Sequence, residues 1–241
     1  MANSELHIEY LPWDSDFFKR KIGRITIDSH THQLGDLLKS AQKQGFRLIY
    51  LSAVSNELVP LYIMNSFNGK NVDTKIVYEK TCATPFDLPA SPNVAPYRDT
   101  NRISQLHDLA LQSGEYSRFR VDAHFSYAEF AAFYKIWLDN SLAGTFADQV
   151  FLYHDCDKIA GLITLKYADI SARIGLLAVD KPARGKGIGT ALLNTCQQHL
   201  VAKNIFRLQV TTQQANKPAC LFYERNGFQL TSTTHVYHFW L

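Results

Sequence analysis

The residues best suited to chemistry lie in one glycine-rich loop. The sequence RGKGIG, residues 184–189, follows an apolar strand pattern over residues 173–179 and precedes helical periodicity over residues 187–202. Glycines let a ligand approach the backbone closely because no β-carbon intervenes. The first amides of a helix have no partner within it, so they favour anions such as a diphosphate. The loop therefore predicts a site for a phosphate-bearing ligand.

Several kinds of loop share features with this pattern. A Walker A loop requires GxxxxGK followed by Ser or Thr, which is absent here. A Rossmann fingerprint requires G-x-G-x-x-G at the head of a longer β/α fold, and too little chain follows Gly189 for one. The pattern R-x-x-G-x-G is matched by Arg184, Gly187 and Gly189. A plain glycine turn that leads into a helix is the alternative without a ligand.

The loop and its flanks resemble the acyl-CoA site of the GNAT acetyltransferases. In that family the preceding strand presents backbone groups to the pantetheine arm, an Asn opens a later helix, and a Tyr follows seven residues on. The ending LFYERNGF, residues 221–228, is a further hallmark, and the similarity covers residues 145–241. The cofactor-binding residues that this resemblance implies are Leu177, Ala178, Val179, Arg184, Gly185, Lys186, Gly187, Ile188, Gly189, Asn216 and Tyr223.

The resemblance implies an α/β (α+β) fold with a central mixed, mostly antiparallel sheet that is flanked by helices. A smaller α/β domain precedes it, since residues 1–80 alternate between strand-like and helical patterns. Prolines at 85, 89, 92 and 96 disfavour both helix and sheet between these parts. We therefore expect an N-terminal domain over residues 1–92 that contributes to the acceptor site, and a catalytic acetyl-CoA-binding domain over residues 93–241.

The local patterns predict the elements that position the loop. Ser126 and Glu129 form a capping box, and the aromatic stripe after it is typical of a core-facing helix. The polar turn DCDK, residues 155–158, is suited to a hairpin. Helices are predicted near residues 34–41, 57–65, 103–112, 187–202 and 217–226, and strands near residues 46–54, 72–80, 149–154, 158–167, 173–179, 205–212 and 228–240. Pro60 requires the second of these helices to start near it.

Three segments carry a narrower resemblance. They are WDSDFF at residues 13–18, SRFR at residues 117–120 and FYKIWLDNSLAGTF at residues 133–146. Together they resemble the dTDP-fucosamine acetyltransferases of polysaccharide synthesis, which implies a dTDP-linked amino-dideoxyhexose as acceptor and a homodimer. Arg118 and Arg120 suit the diphosphate of such a nucleotide, because a guanidinium donates two parallel hydrogen bonds to phosphate oxygens. The alternative is that both arginines form surface ion pairs.

The implied reaction is direct attack of a neutral amine on the thioester within a ternary complex. Strand amides over residues 177–179 would stabilise the oxyanion. Tyr223 matches the position of the family's catalytic acid and would protonate the leaving thiolate; its alternative is a tyrosine that only packs. Asp73 is the candidate base, since the related enzymes carry an acidic residue there. Its alternative is an exposed acid on an edge strand.

Composition excludes several other classes of protein. The chain of 241 residues carries a formal charge of +3 and no block of like charge, so it offers no nucleic-acid groove. Its four cysteines form no CxxC pair, which disfavours a disulfide scaffold or a zinc site, and we expect no metal. The N-terminus lacks a signal-peptide pattern and the apolar runs are too short to span a bilayer, which predicts a cytoplasmic protein.

Two alternatives remain open beside a nucleotide-sugar acetyltransferase. One is an N-acetyltransferase of the same fold that acts on another small amine, an antibiotic or a protein N-terminus. The other is a module that senses acyl-CoA without turnover.

Overall fold

The computed structural model describes residues 6–27, 33–54, 59–82, 91–98 and 102–241. The chain forms two units that each combine segments distant in sequence. Unit 1 comprises Met1–Ile76, Gln213–Ala215 and Ser232–Leu241, and unit 2 comprises Val77–Thr212 and Asn216–Thr231. The division expected at residue 92 stays a prediction, and Pro85 and Pro89 lie outside the described residues.

Unit 1 is built on a mixed sheet. Within it the strand order is β1-β2-β3-β10-β4, with β2 parallel to β3 and with β10 antiparallel to β3. The elements are β1 (Glu9–Tyr10), α1 (Pro12–Phe18), β2 (Ile22–Ile27), α2 (Leu34–Lys43), β3 (Leu48–Ala53), α3 (Leu61–Ser66), the first part of β4 (Gly69–Thr81) and most of β10 (Gln229–Trp240). Parallel strands require a crossover connection, which α2 supplies between β2 and β3.

The helix α2 buries one apolar face. Leu34, Leu38 and Ala41 are fully buried and share a core with Ile25 on β2 and Phe239 on β10. Their three- and four-residue spacing matches the helical period, so the sequence pattern locates this face correctly.

Unit 2 contains the remaining elements. They are β5 (Val94–Pro96), α4 (Ile103–Ser113), α5 (Arg118–Val121), α6 (Tyr127–Leu142), β6 (Gln149–Asp155), β7 (Lys158–Ala168), β8 (Ser171–Val179), a 3-10 turn (Lys181–Ala183), α7 (Ile188–Ala202), β9 (Arg207–Gln213) and α8 (Lys217–Arg225). Its strand order is β4-β9-β8-β7-β6-β5. The β5–β6, β6–β7 and β7–β8 pairs are antiparallel, whereas β8 and β9 are parallel. The expected mixed, mostly antiparallel sheet with flanking helices is confirmed.

The helix α6 begins at the predicted capping box. The Glu129 N–H donates to Ser126 Oγ at 3.2 Å, and the Ser126 N–H donates to the Glu129 carboxylate at 2.7 Å. Behind this cap, Phe130, Tyr134 and Leu138 are buried. The aromatic stripe is therefore core.

One predicted helix begins where its proline requires. The pattern over residues 57–65 predicts a helix that starts near Pro60, and α3 starts at Leu61 with Pro60 as its N-terminal cap residue. Proline is favoured at the start of a helix and disrupts its interior, so Pro60 sets the boundary. Residues 55–58 lie outside the described part of the chain. Across the described residues, no helix is long and apolar enough to cross a membrane.

Replacing Ser126 by alanine should destabilise the protein by about 1 kcal/mol, because the cap hydroxyl is lost and the Glu129 amide loses its acceptor. Urea unfolding measures this difference. Ser126→Thr retains the hydroxyl and should remain within a few tenths of a kcal/mol of wild type. Equal stability of Ser126→Ala and wild type would show that the capping box contributes nothing.

Candidate active site

A cavity of about 720 Å³ opens within unit 2. Its walls are the end of β8, the glycine-rich loop, the first turn of α7, most of α8 and the end of α4 with the residues that follow. The predicted residues that line it are Leu177, Ala178, Val179, Arg184, Gly185, Gly187, Ile188, Gly189, Asn216 and Tyr223. The structure therefore brings most of the predicted cofactor-binding residues together around one space.

The glycine-rich loop delivers the start of α7 to this cavity. Gly187 is the N-terminal cap residue of α7 and has φ 80°, a left-handed conformation that L side chains rarely adopt. It supplies no side-chain cap, and Ile188, Gly189 and Thr190 of the first turn also line the cavity. The first N–H groups of a helix have no partner within it and carry partial positive charge. This end of the cavity is therefore suited to an anion.

The strand β8 separates from β9 beside the cavity. Their parallel pairing runs from Ser171 opposite Arg207 to Ile174 opposite Val210. Beyond that point β8 continues to Val179 and stays paired with β7 along its other edge. The edge of β8 that would face β9 thus presents backbone groups to the cavity over its last residues.

The direction of those backbone groups follows from the β7 hydrogen bonds. The Leu176 N–H donates to Thr164 Oγ1 on β7, and the Asp180 N–H donates to the Ala160 carbonyl. Successive residues of a strand point their N–H and C=O groups to opposite edges. The N–H groups of Leu177 and Val179 therefore point away from β7.

Arg184 supports this assignment. Its Nε–H donates to the Val179 carbonyl at 3.0 Å. That carbonyl shares a trans peptide group with the Asp180 N–H, which donates toward β7, so the carbonyl points away from β7. The bond also ties the first residue of the glycine-rich loop back to the end of β8. The Arg184 side chain thus fixes the loop, a role that the sequence pattern alone did not reveal.

The helix α8 brings Asn216 and Tyr223 to the opposite wall. Asn216 is the N-terminal cap residue, and its Oδ1 accepts the Ala219 N–H at 3.3 Å. The seven-residue spacing puts Tyr223 two turns further along the same face of α8. The helix is held at its far end, where Lys80 Nζ donates to the Asn226 carbonyl at 2.8 Å.

Tyr223 is a buried tyrosine on the wall of the cavity. Its ring packs against Tyr78, Phe222 and Phe228, and 5% of the residue is exposed. Burial raises its pKa well above the ordinary value, and the neighbouring Cys220 adds to the effect. Tyr223 therefore carries its proton throughout the physiological range.

A second buried tyrosine braces this helix. The Tyr78 hydroxyl on β4 donates to Glu224 Oε1 at 2.6 Å. Burial, followed by that hydrogen bond, raises the pKa of Tyr78 as well. Tyr78 and Tyr223 thus form a protonated aromatic pair between β4 and α8.

The end of α4 is a part of the site that sequence reasoning missed. Gln112 Nε2 donates to Asp180 Oδ1 at 2.9 Å, and Gln112 Oε1 accepts the Lys181 N–H at 2.9 Å. Glu115 pairs with Lys181 Nζ at 3.1 Å. Gln112, Glu115 and Tyr116 line the cavity. The signals available were only the end of a predicted helix near residue 112 and the glycine that follows it.

Some predicted residues lie elsewhere. Lys186 is exposed and is not among the lining residues. The guanidinium of Arg118 lies 4.7 Å from the centre of the Phe119 ring, and that of Arg120 lies 5.6 Å from the centre of the Tyr127 ring. Asp73 belongs to unit 1, where it is buried on β4 with 8% exposed. None of these lines the cavity, so their assigned roles stay predictions.

Within the described ranges, no group of three or more His, Cys, Asp or Glu side chains is arranged to hold a metal ion. The four cysteines all lie in those ranges and form no disulfide with one another, and Cys220 is buried on α8.

Comparison with known proteins finds one family at this site. Residues 105–228 match the family model described as Acetyltransferase (GNAT) family. The matched segment includes the end of β8, the glycine-rich loop, α7 and α8.

Two curated relatives share part of the sequence. The chain is 32% identical over 135 residues to a dTDP-fucosamine acetyltransferase of Escherichia coli O6:H1, which is 55% of this chain and 57% of that protein. It is 32% identical over 79 residues to the uncharacterized protein YxbD of Bacillus subtilis, which is 33% of this chain and 48% of that protein. The chain thus spans about half the length of the curated relatives that it matches.

Solved structures share the fold at low identity. A functionally unknown conserved protein from Staphylococcus epidermidis aligns over 100% of this chain and 92% of its own, with a TM-score of 0.74 and 11% identity. A GCN5-related N-acetyltransferase from Sphaerobacter thermophilus aligns over 89% of this chain and 72% of its own, with a TM-score of 0.60 and 12% identity.

The buried state of Tyr223 predicts a loss of stability at alkaline pH. The unfolded chain releases the proton near the ordinary pKa of 10.0, whereas the folded chain keeps it, so the stabilisation is complete below pH 10 and declines above it. The decline is about 1.4 kcal/mol per pH unit for each such tyrosine. In urea unfolding from about pH 9 to pH 11, Tyr223→Phe should therefore lose stability less steeply than wild type.

The matched control is Tyr62→Phe, because Tyr62 is 66% exposed. This variant should keep the wild-type slope. A Tyr223→Phe slope equal to that of wild type would mean that Tyr223 does not retain its proton in the folded state.

Proposed function

Because the chain belongs to the acetyltransferase (GNAT) family, we propose that it transfers the acetyl group of acetyl-CoA to an amine. The observation that carries the proposal is the single cavity in which the open edge of β8, the start of α7 and Tyr223 meet. An anion site, a row of backbone donors and a protonated phenol are what acyl transfer from a diphosphate-bearing thioester requires.

In this proposal acetyl-CoA occupies the cavity from the glycine-rich loop to the end of β8. The diphosphate binds to the first amides of α7, where Gly187 leaves the helix without a side-chain cap. The pantetheine arm, which carries amide groups, pairs with the open edge of β8 as a short additional strand would. Asn216, whose Oδ1 is used by the helix cap, offers its amide Nδ2 to the same ligand.

The proposed chemistry is direct attack by a neutral amine on the thioester carbonyl. The nitrogen–carbon bond forms first and gives a tetrahedral intermediate with a negative oxygen. The N–H groups of Leu177 and Val179 point away from β7, and one of them stabilises that oxygen while the other stays available to the pantetheine arm. Both cannot bind one oxygen, because alternate residues of a strand lie about 6.6 Å apart. The carbon–sulfur bond then breaks, and the CoA sulfur leaves with the electron pair.

Tyr223 supplies the proton for the leaving sulfur in this scheme. It lines the cavity, and its raised pKa keeps it protonated when the thiolate forms. The amine must lose a proton before or after attack, so a base acting directly or through water is also needed. Asp73 stays the sequence-based candidate for that base.

The proposed acceptor is a dTDP-linked amino-dideoxyhexose, taken as substrate by a homodimeric enzyme. Support comes from the 32% identity to a dTDP-fucosamine acetyltransferase over 135 residues. In this proposal Arg118 and Arg120 pair with the nucleotide diphosphate, and each now lies against an aromatic ring that would orient its guanidinium.

A thiol-release assay tests the function and its acceptor. Wild-type protein with acetyl-CoA should release CoA in the presence of a dTDP-4-amino- or dTDP-3-amino-6-deoxyhexose, and not with matching UDP sugars, spermidine or a peptide. Arg118→Met and Arg120→Met should raise the KM for the sugar nucleotide, because each loses a charge-assisted hydrogen bond worth about 1.5–3 kcal/mol.

Arg207→Met is the matched control, since Arg207 pairs with Glu79 and does not line the cavity. Its KM should equal that of wild type. Release only with spermidine or peptide would keep acetyl transfer and overturn the sugar assignment. Binding of CoA without release for any acceptor would favour an acyl-CoA-sensing module.

The acid role of Tyr223 predicts a selective loss of turnover. Tyr223→Phe retains the ring that packs against Tyr78 and Phe228 but removes the proton donor. The kcat should fall about a hundredfold or more, while the affinity for CoA measured by calorimetry stays within about twofold. Tyr78→Phe should lower kcat far less, because it leaves the Tyr223 hydroxyl in place. Equal kcat for Tyr223→Phe and wild type would exclude the acid role.

A further inference from the structure

We propose that Thr164 is a positioning residue for the acyl-transfer step, because its hydroxyl holds the bulge in β8 that turns the Leu177 and Val179 amides toward the cavity. The inference rests on the proposed function, and it concerns a residue outside the glycine-rich loop and outside α8. Thr164 lies on β7 with 1% of its surface exposed, and it is not among the residues that line the cavity.

The register between β7 and β8 shows where the bulge lies. Ile163 pairs with Leu177 and Leu165 pairs with Ile174, so Thr164 alone on β7 faces both Gly175 and Leu176 on β8. Two residues against one is the defining count of a β-bulge.

The extra residue changes which backbone groups face which neighbour. Before the bulge, Ile174 is still paired to β9, opposite Val210. After it, the even-numbered Leu176 and Asp180 donate toward β7, as their hydrogen bonds show. The odd-numbered Leu177 and Val179 consequently point their N–H groups to the opposite edge. Without the inserted residue the parity would reverse, and these two amides would face β7.

A side chain completes the hydrogen bonding at the bulge. A bulge leaves one backbone group of the longer strand without its regular partner. Here the Leu176 N–H donates to the side chain of Thr164, at 2.8 Å from its Oγ1, and the bond is buried. A buried N–H without an acceptor is strongly disfavoured, so this hydroxyl stabilises the bulge by accepting the Leu176 N–H.

Gly175 leaves room for the hydroxyl. A β-carbon built on Gly175 would lie 2.9 Å from Thr164 Oγ1, closer than such atoms approach in proteins. The φ of Gly175 is not in the left-handed region, so an alanine there would displace the hydroxyl without imposing backbone strain. Thr164 supplies the hydroxyl at the bulge and Gly175 leaves the space for it, so either residue can be substituted to disturb this hydrogen bond.

The consequence for catalysis is specific to the reacting carbonyl. Oxyanion donors act only if they point at the position where the charge develops, and displacements of about 1 Å reduce rates markedly. A relaxed bulge would misdirect the Leu177 and Val179 amides while leaving the start of α7 unchanged. CoA keeps its diphosphate contacts at the start of α7 even where its pantetheine pairing with β8 is weakened, so its binding should be less affected than turnover of acetyl-CoA.

The experiment compares Thr164→Val, which keeps the shape but removes the acceptor, with Thr164→Ser, which retains the hydroxyl. With the acceptor amine that supports wild-type turnover, Thr164→Val should lower kcat about tenfold to a hundredfold. The KM for acetyl-CoA and the Kd of CoA should change by no more than about threefold. Thr164→Ser should recover most of the wild-type kcat.

Gly175→Ala should break the same hydrogen bond by displacing the Thr164 hydroxyl. Amide hydrogen exchange measures the loss of that bond without depending on turnover. Hydrogen exchange of the Leu176 amide, followed by NMR, should be slow in wild type and Thr164→Ser and at least about tenfold faster in Thr164→Val and Gly175→Ala. Gly175→Ala should also reproduce the fall in kcat.

The outcomes separate the two proposals. If wild type is active and Thr164→Val has the same kcat, the positioning role of Thr164 is overturned and the proposed function is not. Slow exchange of the Leu176 amide in Thr164→Val would have the same meaning. Equal losses in kcat and in CoA affinity would also overturn it, since they would indicate general disruption. A wild type that binds neither CoA nor acetyl-CoA would overturn the proposed function, and the positioning role with it.

Discussion

The last stretch of β8, which is paired with β7 but not with β9, is the constraint on which the site in unit 2 depends. Backbone N–H and C=O groups need partners, and a strand inside a sheet normally has them on both edges. The pairing of β8 with β9 ends at Ile174 and Val210, although β8 continues to Val179. The remaining groups must find hydrogen bonds from side chains, water or a ligand, and Arg184 supplies one at the Val179 carbonyl. An edge left open beside a cavity is a binding surface, because an extended ligand can complete it.

The other elements around the cavity are held in place beside the open edge of β8. The glycine-rich loop returns the chain from the end of β8 to the start of α7, and Arg184 fixes its beginning. Gln112 binds both Asp180 and Lys181, so the end of α4 is tied to the residues just after β8. On the other wall, α8 is held to β4 through the Tyr78–Glu224 hydrogen bond. The ties of α4 and α8 join segments that are remote in sequence, and together with the local tie of Arg184 they fix the cavity walls without a bound ligand.

This remoteness explains what the sequence could and could not predict. The glycine-rich loop is a local pattern with a defined geometry, and the span from Asn216 to Tyr223 is a local pattern that the resemblance to the GNAT family identifies. The bond between Gln112 and Asp180 spans 68 residues and follows no local rule. The sequence likewise carries no signal for the bulge at Thr164. Residues branched at the β-carbon are common in strands, and only the register of β7 against β8 gives Thr164 its role. The start of α3 at Leu61, by contrast, follows from the sequence, because proline is favoured at the start of a helix and disrupts its interior.

The burial of Tyr223 affects its ability to donate a proton in the proposed reaction. An unperturbed phenol and an alkyl thiol have similar proton affinities, which makes transfer between them nearly balanced in water. Burial raises the pKa of Tyr223, and this would make it a poor donor to a solvated thiolate. In the proposed reaction the leaving sulfur forms its charge beside this buried tyrosine, and a thiol that is shielded from water also holds its proton more tightly. The buried thiol of Cys82 in this chain shows the effect, with a pKa raised to about 11 by burial. Under that proposal desolvation raises the proton affinity of acceptor as well as donor, which opposes the mismatch that burial of the phenol alone would cause. The raised pKa of Tyr223 also keeps the phenol protonated until the thiolate forms.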